Sequence, residues 1–95
     1  MRFEWDEAKN QTNQKKHKVS FDVASLVFDD PNVLLFVERV TEGEARWHAI
    51  GVVPQTGSLL FLTVVHTLPE KEVIRIVSAR LATRHERNLY VEAIL

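Results

Sequence analysis

The side chains of this 95-residue sequence with the most chemistry to offer are its arginines, lysines and histidines, and they are unevenly spread. Between Val73 and Tyr90 stand Arg75, Arg80, Arg84 and Arg87 against the single acid Glu86, and between Ala8 and Ser20 stand Lys9, Lys15, Lys16 and Lys18 with no acid at all. Asp29, Asp30, Glu38, Glu42 and Glu44 lie between these segments, so the formal net charge of -1 conceals two basic stretches around an acidic centre. If folding joins the two, they make one positive surface on a neutral protein. Guanidinium and ammonium groups neutralise phosphate, and histidine moves protons near neutral pH, so the chemistry these residues suit is that of a phosphodiester.

Within that chemistry the candidates differ. Arg80 ends a β-branched run three residues before a helix start that itself favours an anion; it either contacts phosphate or stands in a solvated turn. Arg75 sits among apolar residues, where its guanidinium either pairs with a carboxylate such as Glu38 or opens onto a ligand groove. His66 ends the preceding apolar run, and a hairpin brings it near the Glu72 to Arg75 side, as a polar strand end or as a proton-transfer group. Lys15, Lys16, His17 and Lys18 crowd a helix end, where the dipole alone stabilises cations; Lys16 and His17 are the members expected to face inward. Arg84, Arg87 and Lys15 are candidates for wider contact with a nucleic acid.

Other chemistries have less to stand on. The four histidines, His17, His48, His66 and His85, are dispersed, and no His-x-x-x-His helix, aspartate cluster or calcium loop is present. The chain has no cysteine and no G-x-S-x-G elbow, and its three glycines are isolated. No metal or cofactor is expected, and acid-base chemistry by side chains is the mechanism left.

The elements that must position these residues can be read from caps and periodicity. Asp6 caps a first helix, "WDEAKNQTNQKKH", and Ser20 a second, "SFDVASLVF", whose Phe21, Ala24, Val27 and Phe28 form one stripe and which "DDP" ends. Asp29 and Asp30 read there as a helix stop and loop. Four β-branched runs follow, "NVLLFVERV", "ARWHAIGVV", "SLLFLTVVHTL" and "EVIRIVSARLA", joined by connections too short for parallel crossovers. The Leu59 to Val65 run is apolar on both alternating faces and reads as a central strand. Strict alternation in the last run puts Arg75 on one face and Arg80 on the other. "TRHE", Thr83 to Glu86, is a capping box opening a C-terminal helix. The expectation is an α+β fold of two N-terminal helices, a four-stranded antiparallel sheet and a C-terminal helix, with helices mainly on one face.

At 45% hydrophobic and 26% charged, residues 1–95 read as one folded domain without repeat or linker. The start "MRFEWDEAKN" carries acids and no signal-like apolar core, and no run approaches a membrane span, so a cytoplasmic protein without a membrane partner is expected.

The blocks "FEWDEAKNQTNQKKHKVSFDVASLVFDDP", "RWHAIGVV", "LLFLTVVHT" and "IRIVSARLATRHERNLY", in this order, resemble the BrnT family of toxins from bacterial type II toxin-antitoxin operons. The resemblance covers nearly the whole chain. It implies a RelE-like ribonuclease that acts without metal, inhibits translation and growth, and is neutralised by a BrnA-like antitoxin, through which alone it would meet operator DNA. Matching positions include Lys9, Asn13, Lys16, His17, Arg75, Ser78, Arg80, Glu86 and Tyr90. One position departs: Lys18 stands where the family usually has glycine, so a left-handed helix end there would be strained unless the turn has changed. The site implied is catalytic Arg80, Arg75, Lys16 and His66 or His17, with Arg84, Lys15 and Arg87 on RNA. The assembly is open between a homodimer, with Trp47 and Phe36 as contact residues or else in the core, and a toxin-antitoxin heterotetramer. The alternative is a non-catalytic module that contacts antitoxin or RNA on the same scaffold.

Overall fold

A computed structural model describes residues 1–95. Its elements in chain order are β1 (Arg2–Glu4), α1 (Glu7–His17), α2 (Phe21–Ser25) running into a 3-10 turn (Leu26–Asp29), β2 (Leu34–Thr41), β3 (Glu44–Gln55), β4 (Ser58–Thr67), β5 (Val73–Leu81) and α3 (Arg84–Ile94). The caps sit where the sequence puts them. Asp6 Oδ1 accepts from the Ala8 and Lys9 amides at 2.8 and 3.2 Å, Ser20 Oγ from Val23 at 3.1 Å, and Thr83 and Glu86 exchange both bonds of the capping box. The apolar stripe of the second helix is kept, but its last residues tighten into the 3-10 turn, from which Val27 still enters the core.

The sheet is five-stranded and mixed, in the order β1-β5-β4-β3-β2, which corrects the four-stranded antiparallel expectation. The extra strand is β1, three residues pairing parallel with β5 from Arg2 opposite Val73 to Glu4 opposite Arg75. Strands β2 to β5 form the expected antiparallel meander. Helices cover both faces, not mainly one. Phe21, Ala24 and Val27 pack with Ala49, Val53, Leu62, Val64, Ile74, Ile76 and Ala79 on the first face. On the second, Tyr90 of α3 meets Phe61 edge to face, with ring centroids 5.8 Å apart.

Helix α1 has almost no apolar face; its buried residues are Asn10 and Asn13. It is seated by amides. Asn10 Oδ1 accepts from the Phe21 amide at 2.9 Å, and Asn13 bonds both the N–H and the carbonyl of Ala79 on β5. Beyond Glu4, therefore, α1 takes over from β1 along the outer edge of β5.

Candidate functional site

Which face a residue of β5 serves is decided by a register slip. Val65 of β4 pairs with Ser78 but His66 pairs with Ile76, so Val77 is an extra residue, a β-bulge. Thr63, Val65 and Thr67 alternate onto one face of β4, and opposite them on β5 stand Arg80, Ser78 and Arg75. Both arginines thus share the second face, whereas strict alternation divides them. On the other side of β4, Val65 and Thr63 face His48 and Ile50 of β3. A row His48, Val65, Ser78 therefore crosses three strands beside the parallel row Ile50, Thr63, Arg80.

His66 goes the other way. It lies on the core face opposite Ile76 and Trp47, 2% exposed, with its ring edge-on to Phe28 at 4.9 Å. Burial holds its pKa below the usual value, a nearby Val64 carbonyl opposing and the His48 charge adding to that shift. The imidazole is thus packed in the core, on the face opposite Arg75 and Arg80, and not at a polar strand end. Trp47 shares that face, and Phe36 stands opposite His48 on the second, their rings 5.2 Å apart.

The two arginines are both paired, in different ways. Arg75 Nε donates to Glu4 Oε2 at 2.6 Å, so its carboxylate comes from β1 and not from Glu38. Arg80 makes a fork with Glu86, Nη1 to Oε1 at 2.7 Å and Nη2 to Oε2 at 2.9 Å. Glu86 is 8% exposed and also accepts from the Thr83 amide at 2.8 Å. Burial raises the Glu86 carboxyl, but the Arg80 and Thr83 bonds outweigh it and bring it down to about 2. The bonds to Glu86, against a smaller effect of burial, raise Arg80 further, with the charges of Glu86 and Glu38 adding to it. Arg80 is therefore a fixed, permanently charged fork, with its side chain 35% exposed.

Other cations, without a salt bridge, stand on α1. A groove of about 350 Å³ runs between α1 and β5, lined by Lys9, Thr12, Lys16 and His17 on the helix and by Val77 and Ser78 on the strand, with Asp6, Ala8 and Asn13 completing it. Lys9, Lys16 and His17 make no salt bridge, and Lys16 and His17, expected to face inward, both line this groove. Because Ser78 lies in the row that ends at His48 and is flanked along β5 by Arg75 and Arg80, the groove opens beside the arginine-bearing face. Lys15, Arg84 and Arg87 lie outside it, exposed on the two helices.

Sequence reasoning missed three residues here. Glu86 reads as a helix cap and is also the clamp on Arg80. His48 Nε2 lies 3.3 Å from Glu38 Oε2, a pair made across β2 and β3 at the point where the pairing slips and leaves Glu38 without a partner on β3. A correct register of all four strands would be needed to find it. Asp30, read as loop, is a buried hub: it accepts from Asn32 N–H at 2.9 Å, Val52 N–H at 3.0 Å and Tyr90 Oη at 2.6 Å, and so ties the 3-10 turn to β3 and α3. No group of three His, Asp or Glu side chains converges to hold a metal, and no helix is long and apolar enough to cross a membrane.

The site is a cationic groove beside an arginine-bearing sheet face of a small α+β domain. Residues 5–86 match the family described as the ribonuclease toxin, BrnT, of type II toxin-antitoxin systems, and the chain belongs to that family. The crystal structure of the Brucella abortus ribonuclease toxin, BrnT, is similar, with a TM-score of 0.67 and 29% identity over 88% of this chain and 99% of that one. No curated protein matches this chain. Family membership makes it a ribonuclease toxin with an antitoxin partner.

Proposed function

We propose that the chain is an endoribonuclease that cleaves RNA by metal-independent transphosphorylation at the junction of the α1–β5 groove and the second sheet face. The observation that carries this reading is that Lys16 and His17 line one side of Ser78 while Arg75 and Arg80 flank it along β5. Arg80 and Lys16 bind the scissile phosphate and stabilise the charge that gathers on its equatorial oxygens. Arg75, shared with Glu4, lies further along the same face and guides the adjoining backbone. His17 transfers a proton as the ribose 2′-OH attacks phosphorus, leaving a cyclic phosphate and a free 5′-hydroxyl. Lys15, Arg84 and Arg87 supply outlying phosphate contacts, whose strength falls with salt.

The partner implied by the family is a BrnA-like antitoxin that carries the operator-DNA contact, and a toxin-antitoxin heterotetramer fits such a pairing. The test is to incubate the purified, antitoxin-free protein with messenger RNA in EDTA. Cleavage giving 5′-hydroxyl ends, lost in Arg80→Ala and Lys16→Ala proteins that melt like the parent, is expected. Cleavage that EDTA abolishes overturns the metal-independent mechanism, and cleavage by both variants at the parent rate overturns the site.

A further inference from the structure

Transphosphorylation needs two proton transfers, one from the attacking 2′-OH and one to the departing 5′-oxygen, and the groove contains one histidine. With His66 buried on the opposite face, a second proton-transfer group has to come from elsewhere on the second face. His48 stands there. It occupies the same cross-strand row as Ser78, with Val65 between them, so the backbones of His48 and Ser78 are two strand spacings apart, roughly 10 Å. A phosphate over Val65 would have Lys16 and His17 on one side and His48 on the other.

The surroundings of His48 are those of an oriented imidazole. Nε2 lies 3.3 Å from Glu38 Oε2, an ion-pair distance when the ring carries a proton, and Nδ1 has no carboxylate partner. A carboxylate in that place holds the ring and stabilises the imidazolium that forms during proton transfer. Phe36 fixes the ring from the side. The His48 side chain is 13% exposed, shielded but open to solvent. The charge of Glu38 also reaches Arg80, one of the groups that keep that guanidinium ionised, so the imidazole, its carboxylate and the arginine fork form one electrostatic cluster.

We infer that His48, oriented by Glu38, is the second acid-base residue of the ribonuclease reaction, working opposite His17 across the phosphate. This rests on the transphosphorylation reading above. One imidazole accepts the 2′-OH proton as the P–O2′ bond forms, and the other, protonated, gives its proton to O5′ as the P–O5′ bond breaks; the two then exchange states with water. No oxidant, metal or co-reactant enters the balance. His48 is a catalytic residue in this scheme and Glu38 a positioning residue that acts through it.

The experiment compares parent, His48→Ala, His48→Gln and Glu38→Gln proteins in single-turnover cleavage of an RNA oligonucleotide, with RNA affinity and melting temperature measured alongside. The expected result is a fall of about 10²–10⁴-fold in the cleavage rate of both His48 variants with affinity retained, and a smaller fall in Glu38→Gln. Added imidazole should restore part of the His48→Ala rate, and none of the Lys16→Ala rate. His48→Ala or His48→Gln cleaving within a few-fold of the parent overturns the assignment and leaves the ribonuclease site standing. Loss of rate in a folded His48→Ala protein without imidazole rescue overturns it too. A parent protein that yields no cyclic phosphate overturns the reading beneath it, a result recognisable without any variant.

Discussion

Asn13 of α1 brackets Ala79 of β5. Its Nδ2 donates to the Ala79 carbonyl at 2.8 Å and its Oδ1 accepts from the Ala79 N–H at 3.2 Å, while Nδ2 also donates to the Val19 carbonyl at 2.9 Å. One side chain thus does for β5 what a neighbouring strand would do, in a place where the sheet has none. A polar helix can be docked firmly in this way without an apolar stripe, and the groove keeps an open, polar wall.

Asn13→Ala leaves a buried N–H and two carbonyls without partners, at a cost of roughly 2–4 kcal/mol. Urea unfolding measures it. Asn13→Asp should cost at least as much, since the carboxylate cannot donate to either carbonyl and meets them as like dipoles.

Lys18 ends α1 in the left-handed region, φ 61° and ψ 24°, with its N–H donating to the Gln14 carbonyl at 2.9 Å. The turn has not changed to suit the lysine; the lysine has adopted the glycine conformation. Lys18→Gly should therefore stabilise the protein by about 0.5–1 kcal/mol, the lost strain exceeding the entropy glycine adds to the unfolded chain. Lys18→Val should destabilise it by more than that. Thermal unfolding distinguishes the three proteins.

Stability should fall in two stages on acidification. Burial keeps His66 below its usual 6.5, so the unfolded chain takes up a proton that the native one refuses; this contribution is complete above pH 6.5 and declines as pH falls below it. Glu86, lowered from 4.5 to about 2, contributes fully above pH 4.5 and is lost as pH falls toward about 2. Asp30, lowered by its three donors against burial, adds to the lower stage. Urea midpoints measured against pH should lose the upper stage in His66→Leu and have a smaller lower stage in Glu86→Gln.

Tyr90→Phe removes a 2.6 Å bond to the buried Asp30 carboxylate, whose effect, after that of burial, helps push the phenol up to about 12. The expected cost is about 1.5–3 kcal/mol, the range for a bond to a charged group. Because α3 loses its tie to the 3-10 turn, hydrogen exchange in α3 should rise more than in β4.

The parts of this architecture legible in the sequence are those governed by neighbours along the chain. Asp6, Ser20 and the Thr83 to Glu86 box announce their helices because a cap acts within three residues, and β2 to β5 alternate visibly. β1 does not announce itself: three residues, Arg2 to Glu4, become a strand only because β5 lies alongside, 71 positions away. The bulge at Val77 is likewise invisible in a run of β-branched residues, yet it decides that Arg75 and Arg80 share a face. The site followed the same divide. Lys16, His17, Arg75 and Arg80 stand out as candidates by charge type, whereas the burial of His66 and the pairing of His48 with Glu38 depend on strand register.

The two walls of the groove come from distant parts of the chain, α1 near the beginning and β5 after three intervening strands, with the Asn13 to Ala79 bonds spanning 66 residues. During synthesis α1 emerges early and has nothing to dock on, since its seat is the edge of a strand not yet made. Loop closure of this length comes late in folding. The groove accordingly cannot form until β5 has been made, and a chain interrupted before Val73 lacks one of its two walls.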